Sequence, residues 1–196
     1  AGLIFGALIA QTAFAAENSD PDWPCIQRRT GAMSAGVLWP MTLGATKAEG
    51  EASDLAAALA RRRVGLDDAE ARAAAYVEAH PGLGADDLGA IFLDAFGRID
   101  HDRERVLSGI VRYARSQIAL VARIDAAQAE MATLEAAKEK NFDRMDALDE
   151  QLAWDQRIYR DREKSLSYVC ETPVLLEKRA YAVAQTDRGG VTFGEA

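Results

Sequence analysis

Two cysteines offer the clearest chemistry in this sequence. Cys25 lies near the start and Cys170 near the end of the 196 residues. An isolated pair of thiols favours a disulfide in an oxidising compartment and free or reactive thiols in a reducing one. We predict a Cys25–Cys170 disulfide, which closes a loop of more than 140 residues and stabilises the fold by about 4 to 5 kcal/mol in the chain-entropy model. A zinc site is disfavoured because His80 and His101 have no ligand spacing with either cysteine.

Acidic and sulfur-containing side chains are the remaining candidates for metal or cofactor binding. The densest acidic cluster surrounds His101 and comprises Asp94, Asp100, Asp102 and Glu104. Its spacing departs from the EF-hand pattern, so we interpret these acids as residues that cap a long helix and complement its positive N-terminus. Met131 and Met145 are available as haem ligands, but they fit more simply as apolar residues of a helical seam.

Catalytic motifs are absent from the sequence. It contains no glycine-rich phosphate loop, no HExxH metal helix, no CxxCH haem-attachment site and no GxSxG elbow. The serines lack a histidine in a context that a hydrolase triad requires. We therefore predict no catalytic residue, no metal site and no cofactor, and a protein that is not an enzyme.

The N-terminal segment indicates export. Its first sixteen residues carry no charge, precede the polar run ENSDPD and include the small-x-small triplet Ala13-Phe14-Ala15. We interpret residues 1–15 as a partial signal peptide, cleaved near Ala15, which places the mature chain in the periplasm or outside the cell. The alternatives are a retained N-terminal membrane anchor and a buried apolar helix.

Composition favours helices and disfavours nucleic acid as a partner. Alanine is abundant, aromatic residues make up 7% of the chain, and the net charge is −8. Because a phosphate backbone repels a chain of this charge, we expect protein partners.

Residues 16–50 form the predicted N-terminal arm. Proline and glycine interrupt this segment repeatedly, so we expect an irregular, extended conformation. It contains Trp23 and Trp39, which pack against the protein's own helices in one interpretation and form a docking strip for a partner in the other.

Residues 51–185 form the predicted helical domain. Helical spacing and capping residues predict three short helices, from Ser53 to Val64, from Asp67 to Val77 and from about Asp86 to Gly97. A long helical segment follows at about 102–168, with apolar residues at alternating steps of three and four. Thr172-Pro173 predicts the start of a further short helix, and residues 186–196 are predicted to be a flexible tail.

The long segment has two predicted arrangements. It lacks glycine and proline from Ile110 to Thr172 and, as one helix from 102 to 168, would be about 100 Å long. Either it folds back around Lys138–Asn141 as a helical hairpin, or it continues and pairs with another subunit. We favour the hairpin because it returns Cys170 toward the arm. The predicted fold is therefore all-α, with an irregular arm, three short helices and a long helix or hairpin resembling a coiled coil, linked by one disulfide.

Two functions fit a protein of this kind best, and an enzyme is kept as a third hypothesis only because active sites can lack motifs. The first is a non-catalytic exported scaffold or adaptor that binds a protein of the cell envelope, or a second copy of itself, through its long helix. The second is a periplasmic carrier or chaperone-like domain that binds a small ligand or hydrophobic client in a groove between helices. The candidate partner-binding residues are large apolar side chains of the arm and the long segment: Trp23, Trp39, Leu134, Met145, Leu148, Trp154, Ile158 and Tyr159.

Overall fold

The computed structural model describes residues 22–39, 41–44 and 46–189, and for 187–189 the backbone alone. The described residues contain five α-helices and no β-strand, which confirms the all-α prediction. The helices are α1 (Ala35–Leu38), α2 (Glu51–Ala60), α3 (Leu66–Ala79), α4 (Ala85–Ala136) and α5 (Phe142–Gly189).

Helices α4 and α5 form an antiparallel hairpin, which confirms the favoured arrangement. They contain 52 and 48 residues, so each is more than 70 Å long at about 1.5 Å per residue. The register follows from hydrogen bonds across the pair: Tyr113 Oη donates to the Arg162 carbonyl at 2.7 Å, and Gln117 Nε2 donates to the Tyr159 carbonyl at 3.4 Å. Residues that face each other across the hairpin are thus close in sequence near the turn and far apart in sequence at the opposite end.

The turn between α4 and α5 closes without glycine. Asn141 Oδ1 accepts a hydrogen bond from the Arg144 backbone N–H at 3.1 Å and so caps the start of α5. Lys140 Nζ donates to the Glu135 carbonyl at the end of α4, where a cation complements the helix dipole. Arg144 also forms a two-fold hydrogen-bonded ion pair with Glu130, at 2.6 and 2.7 Å. Lys140 and the capping Asn141 therefore supply the turn chemistry that the sequence predicted at this position.

The boundary predicted between the third short helix and the long helix is wrong, because the two are a single helix. Gly97, Asp100 and Asp102 lie inside α4, where the sequence predicted a helix end and a new cap. A glycine in a helix interior costs about 1 kcal/mol relative to alanine. Phe96 and Ile99 on either side of it are buried in the main core, and their burial outweighs that cost.

The helix predicted to begin at Thr172-Pro173 is likewise a continuation of α5. An interior proline removes one backbone hydrogen bond and costs about 3 kcal/mol. Pro173 lies between two anchored points, the disulfide at Cys170 and the buried Leu176. These anchors fix the helix direction on both sides of the proline, so the local signal does not end the helix.

The main core forms a head at the end of the hairpin away from the turn. The inner faces of α2 and α3 pack against the first part of α4 and the last part of α5. Trp39 of the arm lies in this core and stacks on Phe92, with ring centroids 4.9 Å apart. Buried Arg179 of α5 donates hydrogen bonds to the carbonyls of Leu59 and Val64, at 2.6 and 2.8 Å, and thereby completes the C-terminal end of α2.

A second, smaller core surrounds the disulfide. Cys25 is bonded to Cys170, as predicted, and the two buried cysteines pack with Trp23, Leu107 and Ile110. The bridge joins the arm to α5 over a sequence separation of 145 residues. It therefore fixes the start of the described arm beside the middle of the hairpin.

A fully buried arginine attaches the rest of the arm to the head. Arg103 Nε donates to Glu177 at 2.8 Å, and its Nη2 donates to the carbonyls of Thr30 and Gly31 at 3.1 and 2.9 Å. Glu104 accepts a further hydrogen bond from Nη1 at 3.1 Å. All three guanidinium nitrogens of Arg103 thus donate hydrogen bonds, and a lysine, with a single nitrogen, could not replace them.

Three predicted segments fall partly or wholly outside the described residues. Of the predicted arm, residues 16–21, 40 and 45 lie outside them. The predicted signal segment, residues 1–15, lies outside them, and so do residues 190–196 of the predicted tail, whereas 186–189 continue α5. Within the described ranges, no helix combines the length and apolar character needed to cross a membrane.

Candidate functional site

The candidate site is the part of the hairpin beyond the two cores. The cores end at Val111 on α4 and Leu166 on α5, and we call residues 112–165 the outer hairpin. The part of α4 in the outer hairpin has 25 residues and is about 37 Å long. The seam between its two helices is narrow, because the fully buried apolar side chains are two alanines and two leucines: Ala114, Leu120, Ala127 and Leu148.

A charged pair crosses this seam. Arg123 donates two hydrogen bonds to Asp155, at 2.7 and 2.5 Å, and the Asp155 side chain is 4% exposed. The hydrogen bond from Arg123 lowers the pKa of Asp155 and outweighs the opposing effect of burial. Because a buried carboxylate needs its partner, this pair favours one register of the two helices over registers shifted by a few residues.

Apolar side chains are exposed to solvent close to the Arg123–Asp155 pair. Ile118 is 54% exposed and Val121 38% exposed on α4. Val121 lines a shallow groove of ≈ 370 Å³ between the helices with Ile124, Gln156, Tyr159 and Arg160. One face of the outer hairpin therefore presents an apolar groove bordered by polar side chains.

Trp154 lies on the other face. It is two residues from Gln156, which corresponds to about 200° around a helix, and it is 63% exposed. An exposed indole is unusual on a surface that contacts only water, since tryptophan has a large apolar area and is a preferred anchor in protein interfaces. The outer hairpin thus offers apolar surface on both faces.

The predicted partner-binding residues occupy three kinds of position. Trp23, Trp39 and Leu148 are buried inside the protein. Leu134, Met145, Ile158 and Tyr159 are half-buried along the hairpin. Trp154 is exposed. The structure does not bring these residues into one surface, because Trp39 lies in the main core of the head and Trp23 in the second core around the disulfide.

Sequence reasoning missed Ile118, Val121 and Phe142 as exposed apolar residues. The first two are each one position away from a seam residue, Gln117 or Leu120. Phe142 is 67% exposed at the turn. Measuring the angular offset of each apolar residue from the seam would have identified the first two.

The acidic cluster around His101 does not converge on one point. Asp94 accepts hydrogen bonds from Arg98 and Ser53, Asp102 pairs with Arg105, and Glu104 pairs with Arg103. Burial raises the pKa of Asp94, but the hydrogen bonds from Arg98 and Ser53 lower it by more.

Ion pairs thus account for three of these carboxylates. In the described part of the chain, no three His, Cys, Asp or Glu side chains are grouped as metal ligands. His101 lines an open cleft of ≈ 600 Å³ together with side chains of both charges, among them Arg62, Asp102 and Arg112. This mixture does not favour a ligand of either charge.

No protein-family model matches this chain, and no curated protein and no solved structure is significantly similar to it. The contacts described above are therefore the basis for a functional assignment.

Proposed function

We propose that this protein is a non-catalytic, exported helical adaptor whose outer hairpin binds a protein of the cell envelope. The observation that carries the proposal is the exposure of Trp154 on a two-helix hairpin that continues beyond both cores. The head has its own well-packed core, so a partner bound at the hairpin need not disturb it. The hairpin is thus an extension that presents apolar anchors at a distance from the head.

The disulfide supports the location outside the cytoplasm. A buried bridge between Cys25 and Cys170 is typical of an oxidising compartment such as the periplasm or the cell exterior. The apolar segment at residues 1–15 is consistent with an export signal. Together they support export of the chain before it folds around the bridge.

Trp154 is suited to protein binding rather than to stabilising the hairpin. Burying a tryptophan in a partner's pocket removes a large apolar area from water, and such residues dominate the energetics of many interfaces. A substitution at this exposed position should therefore weaken binding without unfolding the protein. Tyr181, 57% exposed near the other end of α5, gives a matched aromatic control on the head.

The experiment is co-purification of the tagged full chain from envelope extracts, with quantitative mass spectrometry of the recovered proteins. We expect a specific envelope protein to be recovered with the wild-type chain and with Tyr181→Ser, and to be lost with Trp154→Ser. Equal recovery with all three chains would contradict the proposal. Circular dichroism of each variant checks that the helices are intact.

The carrier function remains the alternative, with the apolar groove beside Val121 and Tyr159 as its site. It predicts a lipid or other apolar small molecule in the purified native protein. Extraction followed by mass spectrometry would detect that molecule.

A further inference from the structure

The charges of the outer hairpin are divided along its length. Its tip half, residues 125–150, contains eight acidic and three basic side chains, whereas its inner half, residues 112–124 and 151–165, contains three acidic and seven basic ones. One of the seven, Arg115, pairs with Asp22 of the arm at 2.6 Å, which leaves the inner half positive. The hairpin is therefore negative at its tip and positive toward the head.

The apolar groove lies close to the boundary between these two halves. Val121 and Ile124 belong to the inner half and line the groove from α4, and Gln156, Tyr159 and Arg160 line it from α5. A second hairpin turned end to end about a two-fold axis at the groove would place the negative tip of each copy on the positive inner half of the other. Charge complementarity of this kind favours one orientation of association over the other.

Two oppositely charged residues, Asp149 and Arg160, lie on α5 at equal distances on either side of that axis. Asp149, Gln156 and Arg160 follow one another at steps of seven and four, so they share one stripe of α5. The midpoint between Asp149 and Arg160 falls next to Asp155, which is level with Arg123 through their ion pair and hence close to Val121. Two antiparallel copies of α5 centred there bring Arg160 of each copy beside Asp149 of the other.

Both of these charges are available for such a contact. Asp149 and Arg160 are exposed, and neither forms an ion pair within the described part of the chain. Other charges of the outer hairpin, at Arg123 and Arg144, already have partners in the same chain. The stripe therefore carries an acid and a base that the single chain leaves to solvent.

Because the seam is narrow, apolar side chains remain exposed beside it and can be buried in the association. A two-helix hairpin buries one side of each helix, and a second hairpin laid on the groove face would cover Ile118, Val121 and Tyr159 as in a four-helix bundle. Trp154 lies about 200° around α5 from Gln156 and would stay outside this interface. The face assigned to the envelope partner thus remains accessible in the dimer.

We infer that the occupant of the groove face is a second copy of this chain, packed antiparallel through the outer hairpin with Arg160 beside Asp149 of the partner copy. This inference rests on the proposed function in that both use the outer hairpin, but it concerns the opposite face. It makes the adaptor a two-fold dimer with one Trp154 surface on each copy.

The experiment is sedimentation-velocity analysis of the full, disulfide-bonded chain over a range of concentrations. We expect the wild-type protein to have twice the mass of a single chain, and Val121→Glu to have the mass of a single chain. We expect Arg160→Glu and Asp149→Arg each to raise the dimer dissociation constant at least tenfold, and the double variant to restore it. Trp154→Glu, on the other face, should leave the dimer intact.

Three results would overturn the inference: a wild-type chain that is monomeric at all concentrations, a dimer that persists in Val121→Glu, or a double charge variant as monomeric as the single ones. A dimer broken by Trp154→Glu and retained in Val121→Glu would place the interface on the wrong face and would also overturn it. Because the proposed function is tested by loss of an envelope protein with Trp154→Ser, either idea can fail while the other stands. The substituted positions are exposed, and circular dichroism of each variant checks that its helices are intact.

Discussion

Arg123 and Asp155 face each other across the outer hairpin and share two hydrogen bonds, of 2.7 and 2.5 Å. The aspartate is almost fully buried, whereas the arginine is more than half exposed. The pair is therefore a polar contact inside the narrow apolar seam. Replacing the exposed arginine leaves a buried charge, whereas replacing the aspartate does not.

Removing the arginine should destabilise the hairpin more than removing both partners. In Arg123→Met the buried Asp155 loses the donors that compensate its charge, whereas in Arg123→Met/Asp155→Leu neither charge remains. We expect the urea midpoint to be lowest in the single variant and to recover partly in the double variant. A double variant no more stable than the single one would show that the buried carboxylate is not the source of the loss.

Stability should fall in acid through the carboxylates whose pKa is lowered. Hydrogen bonds from Arg123 and Arg144 lower the pKa of Asp155 and of Glu130. Their contribution is fully present above the unfolded-state pKa, about 4, and is lost as the pH falls through the lower folded-state values. Urea unfolding between pH 7 and pH 3 should therefore show a smaller acid loss in Asp155→Asn than in the wild type. The exposed Asp146→Asn serves as control, and an equal loss in all three would contradict the assignment.

Reduction of the disulfide should destabilise the whole fold. The bridge closes a loop of 145 residues, for which the chain-entropy model gives about 4 to 5 kcal/mol. We expect Cys25→Ser/Cys170→Ser to unfold at a lower urea concentration and to show red-shifted tryptophan emission as Trp23 leaves the second core. Unchanged unfolding of this variant would show that the two cores hold the arm without the bridge.

Arg179→Met should destabilise the head. The guanidinium supplies hydrogen bonds to the carbonyls of Leu59 and Val64, and unsatisfied buried groups cost about 1 to 3 kcal/mol each. Burial lowers the pKa of Arg179. The exposed neighbour Lys178→Met is the control and should leave the thermal midpoint nearly unchanged. An equally small effect of both substitutions would contradict the role assigned to Arg179.

Two glycines should respond in opposite directions to alanine. Gly97 lies inside α4, where an added Cβ meets no heavy atom within 4 Å, so Gly97→Ala should stabilise the protein by about 0.5 to 1 kcal/mol. Gly82 has a φ of +117°, which strains any residue with a Cβ, so Gly82→Ala should destabilise it. Calorimetric melting curves of both variants decide the point, and a stabilising Gly82→Ala would contradict the backbone argument.

The hairpin could be predicted from sequence because its spacing pattern extends over many turns, and the disulfide because the chain has just two cysteines. The alternating three- and four-residue spacing along α4 persists through many turns, so individual exceptions such as Gln117 do not hide it. The turn was located from Lys138–Asn141 by capping and dipole arguments that the contacts of Lys140 and Asn141 confirm. The disulfide followed from the number of cysteines and the indication of export.

The helix boundaries could not be predicted because local signals compete with packing. Gly97 and Pro173 are helix breakers by intrinsic preference, and both lie within continuous helices because residues on either side of each are buried in the cores. The candidate surface was also only partly predictable. Trp154 was identified by type, but exposure of Ile118 and Val121 depends on the angle between each residue and the seam.

The most direct measurement is site-specific photo-cross-linking of the full chain in intact cells, with p-benzoyl-phenylalanine at position 154 or at position 181. If the outer hairpin is the binding element, ultraviolet light should produce an adduct with an envelope protein from position 154 and none from position 181. An adduct that forms from position 181 alone, at equal export of both chains, would show that the head binds the partner and would contradict the role of the hairpin.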